Sequence, residues 1–280
     1  MHASLSVWQA IVLGITQGLT EFAPVSSSGH LIIVPWLFNW DILGNPQLNK
    51  TFDVALHVGT LIAVLAYFRR EVWSYVVAAW HSLRTRSITT VDQRIAWLLL
   101  VTAIPGALVG ALFTSVIEDN LGDPILIGIN LILFGLVLQW ADGLAGARPA
   151  DDFHGRDAVL MGTAQALALA PGVSRSGATI SMARWLRFDR GSAAKLSFLM
   201  SIPITGGAAI YKGAEMFRDG GIPPGFGAAF FWGIVASLVS GFFAIAFLLR
   251  YVRSHSFLPF VIYRVVLGVG VIIVFGTDIR

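Results

Sequence analysis

Residues 14–30 read GITQGLTEFAPVSSSGH, an apolar helical stretch that a proline interrupts just before three serines and a histidine. Residues 162–179, GTAQALALAPGVSRSGAT, repeat this pattern, and aligning Gly14 with Gly162 brings the two prolines within one position of each other. The identical pairs are Gly14/Gly162, Gln17/Gln165, Val25/Val173, Ser26/Ser174, Ser28/Ser176 and Gly29/Gly177. The sequence therefore predicts an internal repeat of a broken-helix element.

The composition places this repeat in a lipid environment. Among the 280 residues 56% are hydrophobic and only 12% are charged, and the mean hydropathy is +0.74, which is too apolar for a water-soluble domain. The net charge of +3 could suggest a nucleic-acid partner, but in a membrane protein basic residues mark cytoplasmic loops, so we expect no nucleic acid. The absence of cysteine excludes disulfides and thiolate chemistry.

Ten apolar segments divide into two classes by length. Six approach the roughly 20 residues that a helix needs to cross a bilayer, and they predict six transmembrane helices at 52–69, 93–114, 122–140, 190–212, 228–250 and 257–276. Four shorter segments form two pairs, 5–20 with 26–38 and 158–170 with 175–186, broken at Pro24 and at Pro171-Gly172. We expect each pair to form a re-entrant helical hairpin; two kinked spanning helices are the alternative.

The order of these segments predicts an all-α membrane domain, residues 1–280, with an inverted-topology repeat. A hairpin (5–38 or 158–186) followed by three spans occurs twice, at residues 1–140 and 158–276, and an odd number of spans inverts the second copy. The positive-inside rule then places both termini and the first hairpin outside. Most of the 19 basic residues fall on the cytoplasmic side: Arg69, Arg70, Arg84, Arg86, Arg94, Arg148, Arg156, Arg184, Arg187, Arg190, Lys195, Arg250 and Arg253. Lys50, Lys212, Arg218 and Arg280 fall outside, while Arg175 and Arg264 fall within the membrane.

The first broken helix carries acid–base groups at membrane depth, where ionisable side chains are costly and therefore suggest function. Gln17 and Glu21 lie four residues apart, on one helical face beside the break. The next half-helix begins with Ser26–Ser28 and His30, which offer hydroxyls and an imidazole for proton transfer at a helix N-terminus. A simple N-cap for Ser26 and a structural role for His30 are the alternatives.

The second broken helix has an arginine at the corresponding helix start, in Ser174-Arg175-Ser176 followed by Thr179. A cation is unfavourable at a helix N-terminus, whereas an anion bound there would offset the cost. Guanidinium, hydroxyls and backbone amides together are typical of a phosphate site. A buried ion pair between Arg175 and Glu21 is the alternative reading, and both can hold in turn.

Other candidates give weaker signals. Asp53 and His57 lie four residues apart near the start of the first span, and Arg264 lies within the last span; their roles stay undecided. The start Met1–Ser4 forms no basic n-region, and the apolar stretch after it lacks a small-residue cleavage pattern, so we expect no cleaved signal peptide. No phosphate-binding loop, dinucleotide fingerprint or zinc spacing is present.

The motifs Gln17-x-x-x-Glu21, residues 24–30 (PVSSSGH) and residues 171–179 (PGVSRSGAT) resemble those of the undecaprenyl-diphosphate phosphatase family associated with bacitracin resistance. The resemblance implies an integral-membrane phosphatase that hydrolyses undecaprenyl diphosphate to undecaprenyl phosphate and inorganic phosphate, recycling this lipid for cell-wall synthesis. It further implies the bacterial inner membrane, an active site open to the periplasm, and a divalent cation, Mg²⁺ or Ca²⁺. A homodimer is left open.

Carried over position by position, the resemblance implies an essential acid at Glu21, which is also the candidate metal ligand. The family's serine and histidine site falls on Ser26, Ser27 and His30, and its phosphate-binding stretch on Ser174, Arg175, Ser176 and Thr179. Gln17 stands where the family has Glu or Gln, which weakens a role as second metal ligand. Ser28 stands where threonine is expected, and keeps the hydroxyl; Gln17 and Ser28 complete the predicted substrate-binding set.

We expect Ser27 to be the nucleophile, with His30 or Glu21 accepting its proton, while Arg175 holds the phosphate. Attack by His30 or by a water molecule is left open. One rival is a phosphatidic-acid-type lipid phosphatase, although Ser181 stands where that signature needs a histidine. The other rival is a polyprenyl-phosphate transporter or flippase, because inverted repeats with broken helices are a transport architecture.

Overall fold

A computed structural model describes residues 5–40, 46–218, 221–222 and 224–277. These residues form eleven α-helices and one short 3₁₀ helix, and within the described ranges no β-strand occurs. The helices are α1 Val7–Phe22, α2 Ser27–Leu37, α3 Pro46–Tyr67, α4 Arg69–Thr85, α5 Val91–Asn120, α6 Pro124–Asp142, α7 Gly155–Leu167, α8 Arg175–Trp185, α9 Arg190–Arg218, α10 Gly227–Tyr251 and α11 Leu258–Gly276. The all-α prediction is confirmed. Met1–Ser4, which bear on the signal-peptide prediction, and Arg280 lie outside the described residues.

Five helices are long and apolar enough to cross a membrane, and they confirm five of the six predicted spans. They are Val91–Phe113, Pro124–Asp142, Arg190–Met216, Gly227–Tyr251 and Leu258–Gly276. The sixth predicted span, 52–69, falls on α3, which ends at Tyr67, and the chain bends by 83° between Tyr67 and Arg69. Phe68 leaves helical geometry with φ −94° and ψ 23°, and α4 exposes the large apolar side chains of Trp73 and Trp80. The sixth span is reached only when α3 and α4 are counted together.

The two predicted breaks are present, and each leaves two helices too short to cross a bilayer alone. Helices α1 and α2 contain 16 and 11 residues, and α7 and α8 contain 13 and 11. The chain leaves helical structure between Phe22 and Ser27 and again between Leu167 and Arg175, which include the prolines. The elements are therefore broken rather than kinked. Whether they enter and leave a bilayer on one side stays a prediction.

The two halves of the chain interleave rather than packing as separate bodies. Helix α1 packs against α10, and correspondingly α7 packs against α5, while α6 pairs with α11 and α3 with α9. The α1–α10 contact depends on small residues: a Cβ atom at Gly14 would lie 2.4 Å from the Gly233 carbonyl oxygen, and one at Gly18 would lie 2.0 Å from the Ser240 hydroxyl. Such close backbone approach is how membrane helices associate without a hydrophobic driving force.

A hydrogen-bond network around Asp142, Arg184 and Arg190 lies at the C-terminal end of α8, the end away from the second break. Asp142, at the end of α6, accepts hydrogen bonds from Arg190 at 2.6 and 3.2 Å and from the Phe257 amide at 3.0 Å. The buried Arg184 donates to the carbonyl oxygens of Asp142, Leu144 and Phe188. These bonds tie α6, α8 and α9 to the loop before α11.

Candidate active site

The same unusual backbone conformation occurs at both breaks. Ser26 has φ 74° and ψ 95°, and Ser174 has φ 71° and ψ 116°, values that non-glycine residues rarely adopt. Each serine hydroxyl accepts a hydrogen bond from the backbone amide three residues later. Ser26 accepts from Gly29 at 3.4 Å, and Ser174 accepts from Gly177 at 3.1 Å. Strained backbone of this kind concentrates at functional sites. The first amides of α2 and α8, like those of any helix, have no acceptor within their own helix.

Two side chains, those of Ser176 and Arg264, connect the two breaks. The Ser176 hydroxyl donates to the Ala23 carbonyl oxygen at 3.0 Å, which joins the second half of the chain to the first. Arg264, on α11, is fully buried and donates to the carbonyls of Pro24 in the first break and of Gly172 and Val173 in the second. The N-termini of α2 and α8 are thus held in one region of the protein.

Glu21 is the centre of the polar cluster at this junction, and it is only 6% exposed. Its Oε1 accepts from Arg175 Nη2 at 3.0 Å, while its Oε2 accepts from the Ser27 hydroxyl at 2.5 Å and from Gln17 Nε2 at 3.1 Å. The predicted ion pair between Glu21 and Arg175 is present. A hydroxyl donating to a buried carboxylate is the arrangement in which the carboxylate can remove its proton.

Two atoms of this cluster are buried without a hydrogen-bond partner in the described part of the chain: Arg175 Nη1 and Gln17 Oε1. Buried polar groups are nearly always paired, so each unpaired one needs an explanation. The free donor of Arg175 suits an anionic oxygen, and the free acceptor of Gln17 suits a donor or a cation. The cluster is therefore prepared for a ligand that carries negative charge.

His57 belongs to the cluster, although the sequence left its role undecided. Its Nε2 lies 3.6 Å from Glu21 Oε2, and its Nδ1 is bonded to the Asp53 carbonyl oxygen at 2.8 Å. Because a carbonyl oxygen only accepts, Nδ1 carries a hydrogen and Nε2 faces the carboxylate. The four-residue spacing of Asp53 and His57 was the available signal, but its use of the Asp53 backbone could not be read from sequence.

His30 is placed differently from Ser27 and Glu21. Its Nδ1 lies 2.6 Å from the Ser26 carbonyl oxygen, and its Nε2 lies 2.6 Å from the hydroxyl of Tyr263 on α11. Both ring nitrogens therefore have partners, and the side chain is 6% exposed. Tyr263 carried no signal in the sequence beyond a tyrosine in an apolar helix.

The remaining predicted residues lie at the helix starts, mainly in contacts within the protein. Ser28 is exposed and its hydroxyl lies 3.3 Å from that of Ser26, while the Ser174 and Ser176 hydroxyls are also 3.3 Å apart. Thr179 is fully buried and bonded to the Arg175 carbonyl and to Ser197. Direct substrate contact by these hydroxyls stays a prediction.

The described helices and this cluster define a multi-pass helical membrane protein with a charged site between two broken helices. The family model of bacitracin resistance protein BacA matches residues 10–270. A protein called undecaprenyl-diphosphatase from Gemmatimonas aurantiaca is 46% identical over 274 residues, covering 98% of each chain. Proteins of that name from Pelobacter propionicus and Desulforudis audaxviator are 44% and 45% identical over 277 and 271 residues, covering 98% and 96% of this chain and 99% and 98% of their own.

The chain belongs to the bacitracin resistance protein BacA family. This membership confirms the family resemblance carried by the motifs at residues 17–30 and 171–179. It also argues against a phosphatidic-acid-type lipid phosphatase, whose signature requires a histidine where this chain has Ser181. The Ser181 hydroxyl donates to the Gly177 carbonyl oxygen at 2.7 Å.

Proposed function

We propose that this protein hydrolyses undecaprenyl diphosphate to undecaprenyl phosphate and inorganic phosphate in the bacterial inner membrane. Full-length relatives that are called undecaprenyl-diphosphatase support the substrate. The observation that carries the chemistry is the buried cluster in which Ser27 donates to Glu21 while Arg175 keeps one donor free. The reaction returns the carrier lipid to cell-wall synthesis and so confers resistance to bacitracin.

The diphosphate binds where the two helix N-termini meet. Arg175 Nη2 holds Glu21, and the free Nη1 takes an oxygen of the terminal phosphate. The first amides of α2 and α8 supply further donors and the positive ends of two helix dipoles. Gln17, Ser28, Ser174, Ser176 and Thr179 complete the proposed phosphate-binding shell, partly by shaping the two helix starts.

Ser27 is the proposed nucleophile, because it already donates its hydrogen to Glu21 at 2.5 Å. The Ser27 oxygen forms a bond to the terminal phosphorus, the bond from that phosphorus to the bridging oxygen breaks, and undecaprenyl phosphate leaves with the electron pair. Glu21 takes the Ser27 proton. Water then attacks the phosphorus of the phosphoserine, and the bond from Ser27 Oγ to phosphorus breaks. The oxygen and both hydrogens of the water leave with the inorganic phosphate, and the proton on Glu21 returns to Ser27. Arg175 stabilises the charge on phosphorus in both steps.

The position of His30 favours Ser27 over His30 as the nucleophile. An imidazole attacks phosphorus through a free nitrogen lone pair, yet both nitrogens of His30 are engaged, by Ser26 and Tyr263. We therefore assign His30 to fixing the start of α2, with Glu21 as the base. Direct attack by water activated by Glu21 is distinguished from the serine route by looking for the phosphoserine.

The residues present fit a divalent cation that enters with the substrate. Mg²⁺ is commonly held by one or two protein oxygens together with water and substrate phosphates. Among the described residues no three His, Cys, Asp or Glu side chains come together, but Glu21 and the unpaired Gln17 Oε1 offer oxygens. These two would hold Mg²⁺ or Ca²⁺, which when bound neutralises diphosphate charge.

The prenyl chain needs an apolar path beside the site. A groove of about 280 Å³ lies between α6, α7 and α8, and its lining is almost wholly apolar. It includes Phe134, Leu167, Ala178 and Met182, and Ala178 lies one turn after Arg175. The groove therefore starts next to the phosphate-binding helix, which suits a lipid substrate entering from the bilayer.

We propose that the two broken elements are re-entrant hairpins in an inverted repeat, residues 1–140 and 158–276 of one membrane domain. The matching backbone at Ser26 and Ser174 and the exchange of α1 and α7 between the halves support the repeat. The bias of basic residues supports opposite entry, with the site open to the periplasm. A homodimer stays a prediction.

Phosphate release from a prenyl diphosphate in detergent micelles tests the function, because micelles offer no membrane to cross. We expect wild-type release, lost in Glu21→Ala, Ser27→Ala and Arg175→Ala, and reduced by a chelator if the cation is required. A His30→Ala variant that keeps a phosphoenzyme supports Ser27. Wild-type protein that binds the lipid without releasing phosphate would instead support a transporter or flippase.

A further inference from the structure

We infer that Arg264 is a positioning residue of this active site, which holds the two helix starts in the geometry that binds the diphosphate. The inference rests on the proposed phosphatase activity. Arg264 lies on α11, outside both motifs, and it is the largest fully buried side chain in the described structure.

The contacts of Arg264 are unusual for a buried cation, because all of them are to backbone carbonyls. It makes five such bonds, to Leu131 at 3.0 Å, Asn130 at 3.3 Å, Pro24 at 3.1 Å, and Gly172 and Val173 at 3.0 Å each. Pro24 lies between Glu21 and Ser27, and Gly172 and Val173 immediately precede Ser174 and Arg175. One guanidinium thus fixes the chain next to the proposed base, nucleophile and phosphate-binding arginine.

Three of the five carbonyls that Arg264 satisfies lie in the non-helical breaks, and the other two lie on α6. Broken helices in lipid must have these groups paired within the protein, since no water is available. One side chain, that of Arg264, donates to carbonyls in both breaks. The side-chain amide of Asn130 pairs a further carbonyl of the second break, because it donates to the Pro171 carbonyl oxygen at 2.9 Å. The relative position of the breaks therefore depends on the length and fork of one guanidinium.

The charge of Arg264 adds to this geometric role. Within the described residues no carboxylate pairs with it, whereas Arg175 pairs with Glu21 and Arg190 pairs with Asp142. A buried cation without a carboxylate is costly, and carbonyl dipoles offset only part of its charge. The remaining positive potential lies behind the starts of α2 and α8, where the diphosphate binds.

The motif at residues 171–179 leaves space for the Arg264 guanidinium at Gly177. A Cβ atom at Gly177 would lie 2.8 Å from Arg264 Nη1, and one at Gly135 on α6 would lie 3.4 Å from Arg264 Cβ. Gly177 therefore has a reason to lack a side chain that is independent of helix propensity. The requirement links the motif to a residue far away in the sequence.

The conservative change Arg264→Lys separates positioning from charge. Lysine keeps the positive charge but presents one nitrogen with three donors, so it cannot bridge both breaks as the planar guanidinium does. The matched control is Arg184→Lys. Arg184 is also buried and also donates mainly to carbonyls, but at the Asp142 network.

The experiment measures kcat and KM for prenyl-diphosphate hydrolysis per folded molecule, with the folded fraction taken from size exclusion and thermal unfolding in detergent. We expect Arg264→Lys to lower kcat about 100-fold, the scale of a 1 Å misplacement, with a smaller change in KM. Arg184→Lys should keep wild-type kcat per folded molecule even if its Tm falls. Arg264→Gln, which removes the charge as well, should be slower than Arg264→Lys.

Two outcomes overturn the inference. Arg264→Lys with wild-type kcat per folded molecule shows that bridging by the fork is not needed. An equal loss in Arg184→Lys and Arg264→Lys shows a general effect of disturbing a buried arginine. If Arg264→Lys does not fold, Gly177→Ala, which crowds the guanidinium, takes its place with the same expectation. An inactive wild type counts instead against the proposed phosphatase activity.

Discussion

Arg175 Nη2 lies 3.0 Å from Glu21 Oε1, although the two residues are 154 positions apart in the chain. Each residue comes from a different copy of the repeated broken helix, so the ion pair forms only when both copies fold together. Its other consequence is chemical: the guanidinium favours the anionic form of the carboxylate, and in the proposed mechanism this form accepts the Ser27 proton. In the same mechanism the substrate phosphate competes with Glu21 for the guanidinium.

We expect Glu21→Gln to lower kcat by about 10²- to 10⁴-fold, the usual contribution of a general base. The substitution also leaves Arg175 buried without its anion, which costs about 3–5 kcal/mol in stability for a buried pair. The double variant Glu21→Gln/Arg175→Met should regain thermal stability without activity. Recovery of activity in the double variant would contradict the assignment of Glu21 as base.

Ser27→Ala should abolish the phosphoenzyme as well as turnover, because the attacking oxygen is gone. Rapid acid quench with a terminally labelled prenyl diphosphate measures the covalent intermediate. Ser254→Ala, on an exposed loop outside the site, is the matched control and should keep both signals. A labelled intermediate that persists in Ser27→Ala would point to another nucleophile.

Arg175→Lys should keep the ion pair with Glu21 but lose the second arm that awaits the phosphate. Lysine cannot hold two oxygens in the fixed fork of arginine, so we expect kcat/KM to fall about 10- to 200-fold, the effect of one charge-assisted contact worth 1.5–3 kcal/mol. Steady-state kinetics in micelles provide the measurement. The exposed Arg250→Lys serves as control, and comparable losses in both variants would argue against a special role for Arg175.

His57→Ala should lower kcat about tenfold with little change in KM, because it opens space beside Glu21 Oε2 and loosens the carboxylate that Ser27 must reach. The imidazole is held only 3.6 Å from that oxygen by the Asp53 carbonyl. Kinetics of His57→Ala are compared with those of His255→Ala, an exposed histidine. Identical kinetics for both variants would exclude His57 from the site.

Gly18→Ala should destabilise the protein by about 1–3 kcal/mol, the cost of inserting a methyl group into packed helices. A Cβ atom there would lie 2.0 Å from the Ser240 hydroxyl and 2.6 Å from the Gly241 amide nitrogen, so the α1–α10 contact would have to open. Thermal unfolding in detergent measures the effect. Gly213→Ala, a helical position with no atom near the added methyl group, should be neutral or stabilising.

The local motifs were predictable because they follow from short-range rules. Prolines at 24 and 171 remove backbone donors, and both helices break there. The apolar lengths placed five spans and located α3 at the sixth, 52–69, but they did not predict the bend of 83° that follows Tyr67. A bend between two apolar segments depends on what each packs against, and a hydropathy profile contains no such information.

The residues of the two motifs were also predictable, but the side chains that reach them from other helices were not. Glu21, Ser27 and Arg175 come together as predicted, but His57 beside Glu21, Tyr263 beside His30 and Arg264 between the breaks come from helices far along the chain. The local sequence of α11 does not distinguish Tyr263 from a tyrosine at the membrane interface. It also does not distinguish Arg264 from a buried arginine without a role in the site. Only packing of α11 against α6 brings them to the site.

Composition, proline placement and repeat spacing act locally. The amino-acid sequence alone was therefore enough to predict a helical membrane protein with two copies of a hydroxyl-rich helix start. Which of these groups contact one another depends on the tertiary structure. Ion pairs, shared carbonyls and helix contacts act through space, so Ser27 contacts Glu21, whereas His30 contacts Ser26 and Tyr263. The two breaks lie together because Arg264 donates to carbonyls of both and Ser176 donates to the Ala23 carbonyl.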